Sequence, residues 1–194
     1  YTANAGLLRL RESICAYMDR RFGLEYDPRS QVFVTVGGSE GIDAVIRSLV
    51  NPGDEVLIPQ PSFVCYAPLT ELAGGVPVIL PTYEQDQFRL RPDVLKQAIT
   101  PKTKLLIMPY PNNPTGAVMT MTDYQAIADV LKQTDVVVLA DEIYAELTYA
   151  GQPPVSFAQA DGMYERTVIV NGFSKAYAMT GWRMGYVCGP APVI

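Results

Sequence analysis

The segment Asp135–Tyr144, DVVVLADEIY, runs through four aliphatic residues and an alanine, Val136 to Ala140, and stops at the carboxylate of Asp141. A near-continuous aliphatic run is what a strand covered on both faces needs, and such strands belong to parallel sheets. The acid at its end needs a partner, because a carboxylate taken out of water without one is costly.

Outward from this strand, the β-branched run Gln31–Val36 and the segments Glu55–Pro59, Val76–Leu80, Lys104–Met108, Thr167–Val170 and Gly185–Cys188 read as six more. Between most of them lie stretches of helical period. Leu7, Leu10, Ile14, Tyr17 and Met18 predict an opening helix, stopped by Gly23 after the basic pair Arg20 and Arg21. Ile42, Val45, Ile46 and Leu49 predict a second, and Gln60–Tyr66, which carries Phe63 and Tyr66, is expected to open a third. Two more are predicted from about Arg91 to Ile99 and from Asp123 to Lys132. The alternation gives an α/β fold: a predominantly parallel seven-stranded sheet with helices on both faces.

At 194 residues, 48% hydrophobic and 18% charged, the chain can bury a sizeable core and is expected to form one domain over residues 1–194. A formal net charge of -5 without a basic cluster argues against nucleic acid and for a small-molecule partner. The absence of histidine excludes the histidine-based triads and removes the commonest metal ligand. Three scattered cysteines suggest neither a disulfide framework nor a metal site. No apolar run approaches the ~18 residues that cross a bilayer and no signal-peptide pattern opens the chain, so a cytoplasmic location is expected. The chain starts abruptly at Tyr1, as a fragment would.

In parallel sheets of this kind, ligands bind beyond the carboxyl ends of the strands. Ser39, Asn113, Asp141 and Lys175 each follow a predicted strand, so the topology can gather them at one edge. Gly37 and Gly38 lead to Ser39, a natural N-cap, and the amides of such a turn can hold an anion at the positive end of a helix. The turn-rich YPNNPTG at Tyr110–Gly116 presents polar groups at a strand end. In NGFSKAYAMTGWRMG, Asn171–Gly185, a lysine set just past a buried strand among small residues loses hydration, which favours the neutral amine that attacks a carbonyl. A reactive lysine, an anion-binding turn with Arg183, a buried carboxylate and a flat apolar neighbour such as Phe63 suit one kind of ligand, an aromatic aldehyde phosphate. Pyridoxal phosphate meets every requirement, with Asp141 placed to keep its ring nitrogen protonated.

Along nearly its whole length the chain also resembles the class I and II aminotransferases of the fold-type I pyridoxal-phosphate enzymes, most closely their bacterial aspartate and aromatic branch. The resemblance is carried by NNPTG at Asn112–Gly116, DEIY at Asp141–Tyr144 and GFSKAYAMTGWRMG at Gly172–Gly185. It implies that this is the large cofactor-binding domain, without an amino-terminal arm or a carboxyl-terminal small domain. It makes Lys175 the Schiff-base lysine, Asp141 the ring-nitrogen partner, and Asn113 and Tyr144 the partners of the ring hydroxyl. Lys175, Asp141 and Tyr144 are then the catalytic set. Phe63 takes the ring-stacking place, and Gly38, Ser39 and Arg183 hold the phosphate. Tyr1 matches a tyrosine that reaches the phosphate of a neighbouring subunit, which implies a homodimer. Gly172 stands where many relatives carry serine or threonine, so one hydroxyl contact to the phosphate is expected to be missing. The implied reaction moves an amino group between an amino acid and a 2-oxo acid. The alternatives are a carbon–sulfur β-lyase on the same fold, because fold does not fix function, and a ligand-sensing domain without turnover.

Overall fold

The computed structural model describes residues 3–149, 151 and 153–194. In chain order it contains α1 (Leu8–Phe22), β1 (Val32–Thr35), α2 (Gly37–Leu49), β2 (Glu55–Gln60), α3 (Tyr66–Leu72), β3 (Val76–Pro81), α4 (Pro92–Ala98), β4 (Thr103–Met108), α5 (Met121–Leu131), β5 (Val137–Asp141), β6 (Thr167–Gly172) and β7 (Gly185–Cys188). The seven strands form one sheet in the order β1-β7-β6-β5-β4-β2-β3. Only β7 runs against its neighbours, pairing antiparallel with both β1 and β6, while the remaining pairs are parallel. The expected α/β sheet is therefore present, with β7 the single reversed strand.

The period-two alternation of the strands divides the interior into two cores. Leu105, Ile107, Leu139, Val168 and Val170 face one side, where Ile42, Val45 and Ile46 of α2 cover them. Leu106, Met108, Val138, Ala140 and Ile169 face the other, under Ile14, Met18 and Phe22 of α1, Leu95 of α4 and Tyr124, Ile127 and Leu131 of α5. The aliphatic run that opens the sequence analysis is thus split residue by residue between two helical layers. Each of these side chains is almost fully buried, and full burial of an aliphatic side chain of this size is worth about 1.5–3 kcal/mol.

The helix ends follow local chemistry. Gly23 closes α1 in the left-handed conformation, φ 65°; its amide donates to the Asp19 carbonyl and the following Leu24 amide to that of Met18. Thr120 and Asp123 form a capping box, so α5 begins at Met121, ahead of the expected Asp123. Two expectations are corrected. Ser39 is not an N-cap: α2 starts two residues earlier, at Gly37, with Val36 in the capping position. The Val36 amide is taken instead by the Glu40 carboxylate. Phe63 is not helical either, because α3 starts only at Tyr66.

Candidate active site

Six strands, β1 to β6, run the same way and end on one edge of the sheet, and the reversed strand β7 begins there. At this edge lies a cavity of about 270 Å3 lined by Gly38, Ser39, Phe63, Asn113, Asp141, Tyr144, Lys175 and Arg183. It is close to the lower end of the ~300–1,000 Å3 typical of small-molecule sites. Every site residue expected from sequence lies on this one wall except Tyr1, which lies outside the described residues.

Each wall has a local cause. The segment Phe173–Met184 bridges the antiparallel strands β6 and β7, where Gly172 pairs with Gly185 and the Phe173 amide donates to the Met184 carbonyl at 3.1 Å. Lys175 stands near its start and Arg183 at its end, so two cations distant in a helix or strand are brought to the same cavity. Lys175 Nζ lies 5.4 Å from the centroid of the Tyr144 ring. Among the described residues neither Lys175 nor Arg183 takes part in an ion pair.

Arg183 has φ 52°, and its guanidinium lies against Gly37, where a Cβ would overlap it. Gly185 is pressed against the start of α2: a Cβ there would sit 2.5 Å from the Gly37 carbonyl carbon and 2.7 Å from the Gly38 nitrogen. Glycine is therefore required at Gly185 for β7 to carry Arg183 up to the amino end of α2. The first-turn amides of α2 have no side-chain cap, so they and the guanidinium form a positive corner suited to a phosphate.

Gly172 has the same explanation. A Cβ at Gly172 would be 2.9 Å from both Gly185 Cα and the Met184 carbonyl oxygen. A hydroxyl side chain has no room there unless the backbone shifts. Hydroxyls reach the cavity from Ser174 and Thr180 instead, both in its lining.

The turn after β4 is held by Asn112, not Asn113. Asn112 is buried, and its Oδ1 accepts from the Thr115 amide at 3.2 Å and from Thr115 Oγ1 at 2.9 Å. The Asn112 carbonyl accepts from Gly116 at 2.9 Å. With Asn112 closing the turn, its neighbour Asn113 is left to line the cavity.

Asp141 is the last residue of β5 and is 6% exposed. Its Oδ2 accepts from the Tyr66 hydroxyl at 2.7 Å, and its Oδ1 accepts from the Ile143 amide at 3.3 Å. Burial raises the carboxyl's pKa above its usual value, and the two hydrogen bonds oppose that rise. The sequence reading gives Tyr66 only a place at the opening of the third helix, and this contact is missed. A tyrosine three residues after the ring-stacking candidate is the signal that could have raised it. Phe63 is 37% exposed and stands edge-on to Tyr66, with ring centroids 6.1 Å apart and planes at 79°.

The donor set fits pyridoxal phosphate: a positive corner for the phosphate, an amine for the carbonyl, a buried carboxylate for the ring nitrogen, and Asn113 with Tyr144 for the ring hydroxyl. Among the described residues no cluster of histidine, cysteine or acidic side chains could hold a metal ion, and no helix is long and apolar enough to cross a membrane.

Known proteins agree with this geometry. The chain is 46% identical over 194 residues to aromatic-amino-acid aminotransferase 2 of Thermococcus litoralis, covering 100% of this chain and 50% of that protein. Against the aspartate aminotransferase of Pyrococcus abyssi the identity is 45% over 194 residues, with the same coverage of 100% and 50%. Its fold superposes on the crystal structure of the aromatic aminotransferase from Pyrococcus horikoshii with a TM-score of 0.96 at 47% identity, over 100% of this chain and 52% of that one. The chain therefore spans about half the length of the curated relatives it matches. The family model "Aminotransferase class I and II" matches residues 1–194, and with the sheet, the cavity and the three motifs in agreement the chain belongs to the class I and II aminotransferases of fold type I.

Proposed function

We propose that the protein carrying this chain moves an amino group between an L-amino acid and a 2-oxo acid, with pyridoxal phosphate held in the cavity at the carboxyl edge of the sheet. The observation that carries this proposal is the convergence of Lys175, Asp141, Asn113, Tyr144, Phe63, Arg183, Gly38 and Ser39 on one cavity. The relatives named as aromatic and aspartate aminotransferases support amino transfer over a lyase or a sensor.

When bound, pyridoxal phosphate supplies an electrophilic carbonyl and a conjugated electron sink. The chain's own residues divide the remaining work. Arg183 and the first-turn amides at Gly38 and Ser39 neutralise the phosphate dianion and fix one end of the ring system. Phe63 offers a flat apolar surface to the ring, and Asn113 and Tyr144 offer polar groups to its hydroxyl. Asp141 would pair with the ring nitrogen and favour its protonated form. Lys175 Nζ would hold the cofactor's carbonyl carbon covalently and, once freed by a substrate amine, would serve as the base and acid that moves the proton at the substrate Cα. Tyr144, beside Nζ, is placed to orient that amine.

The location is proposed as cytoplasmic. A homodimer with shared sites is proposed from the resemblance of Tyr1 and its context to a cross-subunit phosphate ligand. Reduction with borohydride of the intact protein mixed with pyridoxal phosphate, followed by peptide mapping, tests the assignment. The expected product is a pyridoxyl group on Lys175 and none in Lys175→Ala, with oxo-acid-dependent amino transfer lost in the variant. A wild-type protein that released pyruvate and ammonia from cysteine conjugates, without amino transfer, would sink the proposal.

A further inference from the structure

The cofactor assignment leaves one buried titratable group at the site without a role. Tyr66 is 2% exposed, yet it opens α3 on the α2 side of the sheet and donates across to β5. A buried phenol needs an acceptor, and a backbone carbonyl would serve one that only filled the core. Instead it is aimed at one oxygen of the carboxylate that ends β5, at 2.7 Å, with both groups buried.

The two oxygens of Asp141 are unequally occupied. Oδ2 is taken by a short, charge-assisted bond from Tyr66, whereas Oδ1 has only the Ile143 amide at 3.3 Å. The oxygen with capacity to spare is thus Oδ1, on a side chain that lines the cavity. We propose that Tyr66 is a positioning residue for Asp141: it fixes Oδ2 through its donated hydrogen bond, leaves Oδ1 to the ring nitrogen of pyridoxal phosphate, and supports the carboxylate's negative charge.

The surroundings make the phenol the main support of that charge. Burial raises the Asp141 pKa, and the Tyr66 hydrogen bond is the larger of the two influences that lower it. The phenol's own pKa is pushed well above its usual value by burial and by Asp141, so it remains a donor at any working pH. Cys65, next in sequence to Tyr66, has its thiol raised to about 12 by burial and by Asp141, and does not compete as an anion. Glu142 bonds to Ser156 and Phe157 away from this contact. The cations in the cavity lining are Lys175 and Arg183, and Tyr144 is its other phenol.

The assignment of Tyr66 rests on the cofactor site proposed above, and the experiment separates the two. The intact protein and its Tyr66→Phe variant are loaded with pyridoxal phosphate labelled with 15N in the ring. Three quantities are read: the borohydride-trapped adduct on Lys175, the ring 15N shift, and the pH midpoint of the visible band of the lysine-bound cofactor. Without the phenol, Asp141 becomes a stronger base and takes a larger share of the proton between it and the ring. Tyr66→Phe is therefore expected to keep the Lys175 adduct while its ring 15N signal moves toward that of neutral pyridine. A less positive ring withdraws less charge, so the midpoint of the visible band should rise by about half a unit, roughly threefold in proton affinity. Asp141→Asn should move the ring signal further in the same direction. Site-specific 3-fluorotyrosine at position 66, a stronger donor of nearly the same shape, should move it the opposite way and covers the case in which Tyr66→Phe folds poorly.

An unchanged 15N shift and midpoint in both Tyr66 variants, with the adduct formed, would overturn the positioning role; a lowered thermal midpoint alone would assign Tyr66 to packing and overturn it equally. Absence of the Lys175 adduct in the wild-type protein would instead overturn the cofactor site, and the role of Tyr66 with it.

Discussion

Asp141 and Glu142 are neighbours at the end of β5, both buried, and the sheet sends them to opposite faces. Asp141 lines the cavity on the α2 side. Glu142 turns into the core beneath α1 and α5, where its Oε1 accepts from Ser156 Oγ at 2.8 Å and from the Phe157 amide at 2.9 Å. Burial raises the pKa of both, and that of Glu142 reaches about 8. Yet the unused capacity differs. Asp141 has one oxygen with only a 3.3 Å amide contact on a side chain that lines the cavity, whereas Glu142 Oε2 is buried with no hydrogen-bond partner among the described residues. Equal burial of two adjacent acids therefore has two consequences: one carboxyl faces the cavity, and the other ties the chain after β5 back onto the sheet.

The largest effect should come from removing the charge on the cavity side. Asp141→Asn keeps an oxygen for the Tyr66 hydroxyl, so the thermal midpoint should stay within a few degrees while kcat for the proposed amino transfer falls on the order of a thousandfold. Retained activity would break the division between the two acids. On the other face, Glu142→Ala should do the reverse. It leaves the Ser156 hydroxyl and the Phe157 amide unpaired in a dry core and opens a void, at a cost of about 3 kcal/mol. Chemical denaturation measures that loss, and activity per folded molecule should remain near wild type.

The pH dependence of stability sharpens the contrast. The Glu142 carboxyl goes from an ordinary glutamate value of 4.5 in the unfolded chain to about 8 when folded, so between those values the native state holds the proton and the unfolded state does not. Its contribution is complete below about pH 4.5 and is lost as pH rises toward 8. From about pH 5 to 7 the wild-type protein should lose about 2.5 kcal/mol through this group, at up to ~1.4 kcal/mol per unit. Glu142→Gln removes the titration, and denaturant midpoints measured across that range should then flatten. An unchanged slope in the glutamine variant would show that Glu142 is ionised in the native core.

The opposite fates of these acids explain how far sequence could be followed. Alternation along VVVLAD assigns Asp141 to the face of Leu139 and Glu142 to that of Val138 and Ala140, and the strand-end position of Asp141 points to the ligand edge. The parallel sheet, the motif residues and their meeting at one edge follow from local pattern plus topology. What local pattern does not encode is contact between distant segments. The Tyr66 bond to Asp141 spans 75 residues, and the reason for Gly172 lies in Met184 and Gly185 across a strand pair. Ser39 failed as an N-cap because two glycines let α2 start earlier, a choice made by the approach of Arg183 and Gly185 to the Gly37 backbone and not by the capping preference of serine.

A third acid on the same segment sets the lower limit of the comparison. Glu146 reaches the surface of α1, where Oε1 accepts from Tyr17 at 2.6 Å and Arg21 binds both oxygens at 2.8 and 2.9 Å. The hydrogen bond from Arg21 lowers the Glu146 pKa, the reverse of its buried neighbours. Its contribution is therefore present above the ordinary glutamate pKa and is lost as pH falls through the lowered value. The Arg21 and Glu146 side chains are 37% and 27% exposed, so water and salt screen the pair. Glu146→Gln should cost less than about 1 kcal/mol at neutral pH, shrinking further in high salt. Because the Tyr17 bond can persist to the glutamine oxygen, the residual loss isolates the ion pair. A loss as large as that of Glu142→Ala would mean that partner geometry, and not depth of burial, decides what each acid after β5 is worth.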